Sequence, residues 1–248
     1  MSQQNLLRGM GMTQVRLETR ADGQQRVITN GLMEMGQQEC ALELTNEATE
    51  ENAAKVLNYI ANYVAKAQQL INAGETIRYG WSTLRFAQEP DAHILSIEEL
   101  VDPFSTAADS YARGAGKAIA ILREQDRTVQ RNGSGPIGHH PHRSERVVIC
   151  RRLPPNVPWR VMVFDRLQSR QADQSGWFVG CGQADHAHND VKELASLHLV
   201  YLAERDPRIV HYLAMPEDTR IVFEHNKIIV FSPQEQAGHL DEIAEIMW

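Results

Sequence analysis

Ser175-Gly176-Trp177-Phe178-Val179-Gly180-Cys181-Gly182-Gln183-Ala184-Asp185-His186-Ala187-His188-Asn189-Asp190 sets an apolar burst between glycines and follows it with a polar loop of Asp, His and Asn. This is the pattern of a buried strand, Trp177 to Cys181, that delivers a loop to the surface. Trp177 is expected in the core, supporting the loop from beneath.

Downstream, Val191 to Ala203 is expected to be helical, with Leu194, Leu197, Val200 and Tyr201 on its inner face. Asp206-Pro207 then restarts a short helix, Asp as cap and Pro in the first turn, carrying Ile209, Val210 and Leu213. Arg220–Glu224 and Lys227–Phe231 form a hairpin across His225-Asn226, and Leu240 to Trp248 closes with an amphipathic helix. Upstream, Val147–Cys150 and Arg160–Phe164 read as strands, separated by a loop that Pro154, Pro155 and Pro158 hold extended.

Residues 126–146 lose all periodicity and contain Gly133, Gly135, Pro136, Gly138 and Pro141, the composition of a linker. Before it, strand-like segments occupy Met12 to Leu44. A long helix follows, capped by Thr45-Asn46 or by Thr49, with Ala53, Val56, Leu57, Ile60, Ala61, Val64 and Ile71 on one face and Asn72 and Gly74 at its end. Thr76–Tyr79 and Thr83–Ala87 are short strands, Ile94–Phe104 holds an acidic amphipathic piece, and Ala107–Arg123 is a second helix. The expected fold is α+β in two domains, each a mostly antiparallel sheet with packed helices: 1–125, a linker at 126–146, and 147–248.

At 248 residues, with 42% hydrophobic and 23% charged residues, the composition is that of a soluble globular protein. No run approaches the roughly 18 apolar residues of a membrane helix, and Met1–Met12 lacks the apolar centre of a signal peptide, so the expected location is cytoplasmic and no membrane partner is expected. The net charge of −7 is uneven: residues 173–248 hold five Lys/Arg against thirteen Asp/Glu, a net −8. Phosphate binding rests on cations, so direct nucleic-acid binding is disfavoured, while a basic protein surface is complementary. Mild acidity of this kind also serves solubility alone.

Cys40, Cys150 and Cys181 are widely spaced and form no CxxC pair, which suggests neither a disulfide framework nor a zinc site; they read as free thiols. Gly138-His139-His140 matches a short nuclease signature but lies in the linker, without the strand and helix that such a site needs. His186 and His188 can project to one side of an extended loop, yet a contact loop is the better reading, because loops on rigid scaffolds carry recognition. Cys181 near these histidines can also be read as a nucleophile, although a buried thiol is the ordinary case. There is no GxSxG or GxxxxGK[ST] sequence.

The Ser175-Gly176-Trp177 strand, the polar loop, the Asp206-Pro207-Arg208-Ile209-Val210 segment and Val222-Phe223-Glu224 in the final hairpin together resemble the Immunity protein 33-like family, domain of unknown function 2185, over about residues 147–248. Cys181-Gly182-Gln183-Ala184 departs from it, since that family tends to place acidic residues directly after the glycine. The resemblance implies a non-enzymatic antitoxin that covers the active-site surface of a cognate bacterial toxin. The two-domain arrangement also looks like that of immunity partners of type VI secretion DNases of the Gly-His-His class in Pseudomonas. The implied toxin-binding residues are Asp173, Asp185, His186, His188, Asp190, Glu193 and Glu204, supported by Trp177, with no metal and no cofactor. The alternative is a metal-dependent hydrolase using His139, His140, His186 and His188.

Overall fold

The computed structural model describes residues 14–90, 93–107, 109–132, 137, 139–153, 161–168, 171–183, 186, 188, 190–224, 227–231 and 241–243. It divides into two compact units, Met1–Pro103 with Ala108–Ala120, and Phe104–Ala107 with Ile121–Trp248. Each unit holds a seven-stranded sheet in which one neighbouring pair is parallel and the rest are antiparallel, so the α+β class with two sheet-based regions holds. Among the described residues, no helix is long and apolar enough to cross a membrane.

In the first unit, β1 (Gln14–Thr19), β2 (Gln25–Asn30), β3 (Glu39–Glu43), β4 (Thr76–Tyr79), β5 (Ser82–Gln88) and β6 (Ile94–Leu100) run in the order β1-β2-β3-β6-β5-β4, and β7 (Tyr111–Arg113) pairs with β6. The long helix α1 (Glu50–Ala67) starts at Thr49, whose side chain accepts from Asn52 N–H, and ends where Gln68 turns left-handed at φ 51°, before Asn72 and Gly74. Its predicted apolar face from Ala53 to Val64 is buried and packs against β1, β2 and β3. The acidic piece expected within Ile94–Phe104 is β6 instead, and its Glu98 and Glu99 have different tasks. Glu98 pairs with Arg85 across the sheet at 2.6 Å. Glu99 is buried and accepts the Lys117 and Ala118 N–H groups at 3.1 and 2.9 Å. These are orphan donors of the first turn of α2 (Gly116–Arg131), which a carboxylate satisfies while opposing the helix dipole.

That helix therefore begins at Gly116 and not at Ala107, and it continues eight residues beyond Arg123. The division between units falls inside it, and the segment expected as a linker starts within its last turns. Past it, His142, Arg143 and Glu145 are buried.

The second unit has β8 (Arg146–Cys150), β9 (Val161–Arg166), β10 (Gln174–Gly180), β11 (Leu194–His198), β12 (Arg220–Glu224), β13 (Lys227–Phe231) and β14 (Asp241–Ile243), ordered β11-β8-β10-β9-β12-β13-β14. The three strands expected before the loop and the hairpin after it all form. The helix expected over Val191–Ala203 does not. A 3-10 turn at Val191–Glu193 leads into β11, which pairs antiparallel with β8, and only Val200–Ala203 is helical, as α3. Leu194-Ala-Ser-Leu-His satisfies its backbone on the free side of β8, and Tyr201 is left 49% exposed. α4 (Ile209–Tyr212) follows Asp206-Pro207, with Asp206 accepting from Arg208 N–H at 3.1 Å. The closing helix expected from Leu240 lies outside the described residues except for 241–243, which form β14.

Trp177 anchors this core. It is 2% exposed, meets Phe164 edge-on at 6.2 Å, and donates its indole N–H to the Leu213 carbonyl at 3.0 Å. Trp177→Phe leaves that buried carbonyl without its donor and should lower stability by about 1–3 kcal/mol in urea unfolding. Nearby on α4, burial pushes the His211 pKa below its ordinary 6.5, against the opposing pull of Glu124. The unfolded chain then binds a proton that the folded chain refuses, so stability is full above about pH 6.5 and falls as the pH drops toward the lowered value. His211→Gln should reduce the loss of urea midpoint between about pH 7 and 5.5.

Candidate functional site

Parallel pairing of β8 with β10 builds the site. Gln174 lies opposite Arg146 and Phe178 opposite Val148, so four residues on β10 advance against two on β8. The extra two form a bulge at Ser175-Gly176, where Gly176 takes φ 75°, which favours glycine, and Ser175 Oγ donates to the Arg146 carbonyl at 2.8 Å. Beyond the bulge Val179 lies opposite Ile149, so the strand ends arrive together, Gly180 and Cys181 beside Cys150. On the other side of β8, Leu194 of β11 lies opposite Cys150. The connection at 181–193 therefore passes over the end of β8 from one neighbour to the other. Arg151 fastens its far side, N–H to the Glu193 carbonyl at 2.8 Å and Nε–H to the Leu194 carbonyl at 2.7 Å.

Side chains alternate across the sheet, so Phe178 and Gly180 face away from Trp177 and Val179. On that outer face the His188 ring lies edge-on to Phe178 at 5.3 Å, and a Cβ at Gly180 would stand 3.2 Å from His188 Cε1. The His186 and His188 rings meet at 4.6 Å. One ligating atom each from Cys150, Cys181, His186 and His188 lies within 4.8 Å of the others, with Cys181 Sγ 3.5 Å from His188 Nε2. Burial raises the Cys150 thiol pKa, with a smaller contribution from neighbouring Cys181; burial, then His186, lowers that of His188. Cys150 and Cys181 lie thirty-one positions apart, so their meeting has no local signal in the sequence. Nothing but the strand pairing reveals it.

The residues expected to face a partner divide between two ends of this sheet. His186, His188, Asp190 and Glu193 gather over the end of β8. There Asp190 accepts Lys192 N–H at 2.9 Å to start the 3-10 turn, and Glu193 is 3.6 Å from Arg152. Val191 between them is an apolar residue left 80% exposed, to which helical periodicity assigns no role. Asp173 precedes β10, seven residues or roughly 20 Å from the loop along that strand. Glu204 follows α3 and accepts both the Thr106 N–H and hydroxyl, at 3.0 and 2.7 Å. Asp185 lies outside the described residues.

His139 and His140 do not join the histidines of the loop. His139 Nε2 is 2.8 Å from buried Glu145, which also accepts His142 N–H at 2.9 Å, and His140 Nε2 is 2.7 Å from Asp126. These contacts pair His139 and His140 with Glu145 and Asp126, and among the described residues the grouped metal-ligating side chains include His186 and His188 but neither of these two.

Comparison with known families meets this geometry at residues 124–232, which match the model of the Imm33-like domain. The second half of the chain carries an Imm33-like domain. The match begins inside α2, earlier than the resemblance at 147–248, and takes in the histidine segment as part of the domain. The match supports assignment of this stretch to an Imm33-like immunity family. No curated protein and no solved structure matches the chain. Within the Imm33-like domain, Gly180→Ala should press its methyl group into the His188 ring and cost about 1–3 kcal/mol in urea unfolding; an unchanged midpoint would show that the ring moves aside freely.

Proposed function

We propose that this protein is the cytoplasmic antidote to a cognate bacterial toxin, a type VI secretion nuclease, and that it works by covering the toxin's active-site surface. The observation that carries this reading is the Imm33-like domain, whose loop over the end of β8 presents Asp190, exposed Val191 and Glu193 side by side. A nuclease must hold phosphates with cations, and the net −8 over residues 173–248 complements such a surface and speeds encounter with it. The apolar Val191 between two carboxylates suits a contact whose centre is dry and whose rim is charged. His186 and His188 of the same loop, and Asp185 by its position in the sequence alone, complete the proposed toxin-binding set. Asp173 and Glu204, at the other end of β10, contribute if the toxin spans the sheet.

The test is co-expression with a candidate toxin from the adjacent open reading frame, followed by co-purification and a nuclease assay. A stable complex without nuclease activity supports the proposal, and full nuclease activity in the presence of excess antidote ends it. Reversing Asp190 and Glu193 to Lys should weaken association at least about tenfold at low salt and flatten its salt dependence, whereas reversing Asp173 and Glu204 reports on the opposite end. Titration calorimetry across a salt series measures both.

A further inference from the structure

We propose that Cys150, Cys181, His186 and His188 bind one zinc ion as a closed structural site that pins the 181–193 loop to the end of β8. The convergence of their donor atoms within 4.8 Å is the first support. Zinc bonds of about 2.3 Å to sulfur and 2.0–2.1 Å to nitrogen imply tetrahedron edges of about 3.3–3.8 Å. The 3.5 Å between Cys181 Sγ and His188 Nε2 is already such an edge, and the other pairs need to close by at most about 1.5 Å to reach one.

Two further observations point the same way. His186 Nε2 is buried without a hydrogen-bond partner, a costly position for a polar atom that coordination would resolve. Arg152 N–H is directed at Cys150 Sγ from 3.4 Å, a donor that suits a metal-bound thiolate. The absence of a side chain at Gly180 leaves the space that the His188 ring occupies.

Two soft thiolates with two imidazoles in a tetrahedron select zinc over the hard, oxygen-seeking divalent cations. Binding releases one proton from each cysteine, so two thiolates and two neutral imidazoles around Zn2+ give a site of zero net charge, compatible with its burial. All four positions belong to the protein, which leaves none for a reactive water and makes the site structural. A Cys150–Cys181 disulfide would use the sulfurs alone and leave His186 Nε2 unsatisfied.

Elemental analysis of the full-length protein purified without chelators should find about one zinc per chain. Cys150→Ser and His186→Gln should lose it, and Cys40→Ala should keep it. Because those variants can misfold, the wild-type protein stripped with chelator under reducing conditions should also be titrated with Co2+. Thiolate-to-cobalt charge-transfer and tetrahedral d–d bands, together with a melting temperature that falls on stripping and recovers with zinc, support the site. Protein that holds less than about a tenth of an equivalent and gives no cobalt–thiolate band overturns it. So does a mass showing that Cys150 and Cys181 are oxidised to each other in protein kept free of added oxidant. Every readout uses the isolated chain, so the result stands apart from whether a toxin binds.

Discussion

The parallel pairing of β8 with β10, shifted by the two-residue bulge at Ser175-Gly176, is the constraint on which the second unit depends. β10 enters between β8 and β9, so its inner side chains, Trp177 and Val179, stand at the centre of the sheet and are shielded by the helical turns. Its outer side chains look toward the loop. One strand thus serves the core with one face and the candidate site with the other, and the bulge fixes where along β8 the second face begins. The indole hydrogen bond to Leu213 ties this strand to the segment after α4, and the aromatic contacts of Phe164 with Trp177 and Phe223 continue the packing across β9 to β12.

Much of this was legible in the sequence. The helix behind Thr49 shows itself through three- and four-residue spacing, and the strand at Trp177 and the hairpin around 225–226 through short apolar runs bounded by turn residues. These signals are local, and burial reinforced them. The region from Val191 to Ala203 misled because Leu194, Leu197 and Tyr201 have helical spacing, while the deciding influence, an unpaired side of β8, lies more than forty residues away. Intrinsic preference gave way to the backbone's need for partners. The start of α2 was hidden for a similar reason, since its N-terminal donors are answered by Glu99 from a strand and not by a neighbour in sequence.

The candidate site was legible in part. His186 and His188 were visible as a pair, but Cys181 drew attention only as a possible nucleophile and Cys150 as an isolated thiol. Spacing rules for metal sites look for ligands clustered on a turn, whereas here one ligand comes from the end of β8, thirty residues of chain intervene, and the other three follow β10. The acidic residues were grouped by their nearness in sequence, and the fold separates them: a strand of seven residues stands between Asp173 and the loop. Charge counted along a chain says little about which carboxylates can act together on one partner.

The bulge also sets a parity on length changes in this part of the chain. Removing one residue from 174–177 would turn the remainder of β10 over, sending Trp177 outward and Phe178 into the core. Removing the two extra residues, Ser175 and Gly176, would instead restore a regular register with Phe178 still opposite Val148, so the protein could keep its packing and the meeting of strand ends while losing the Ser175 bond to the Arg146 carbonyl.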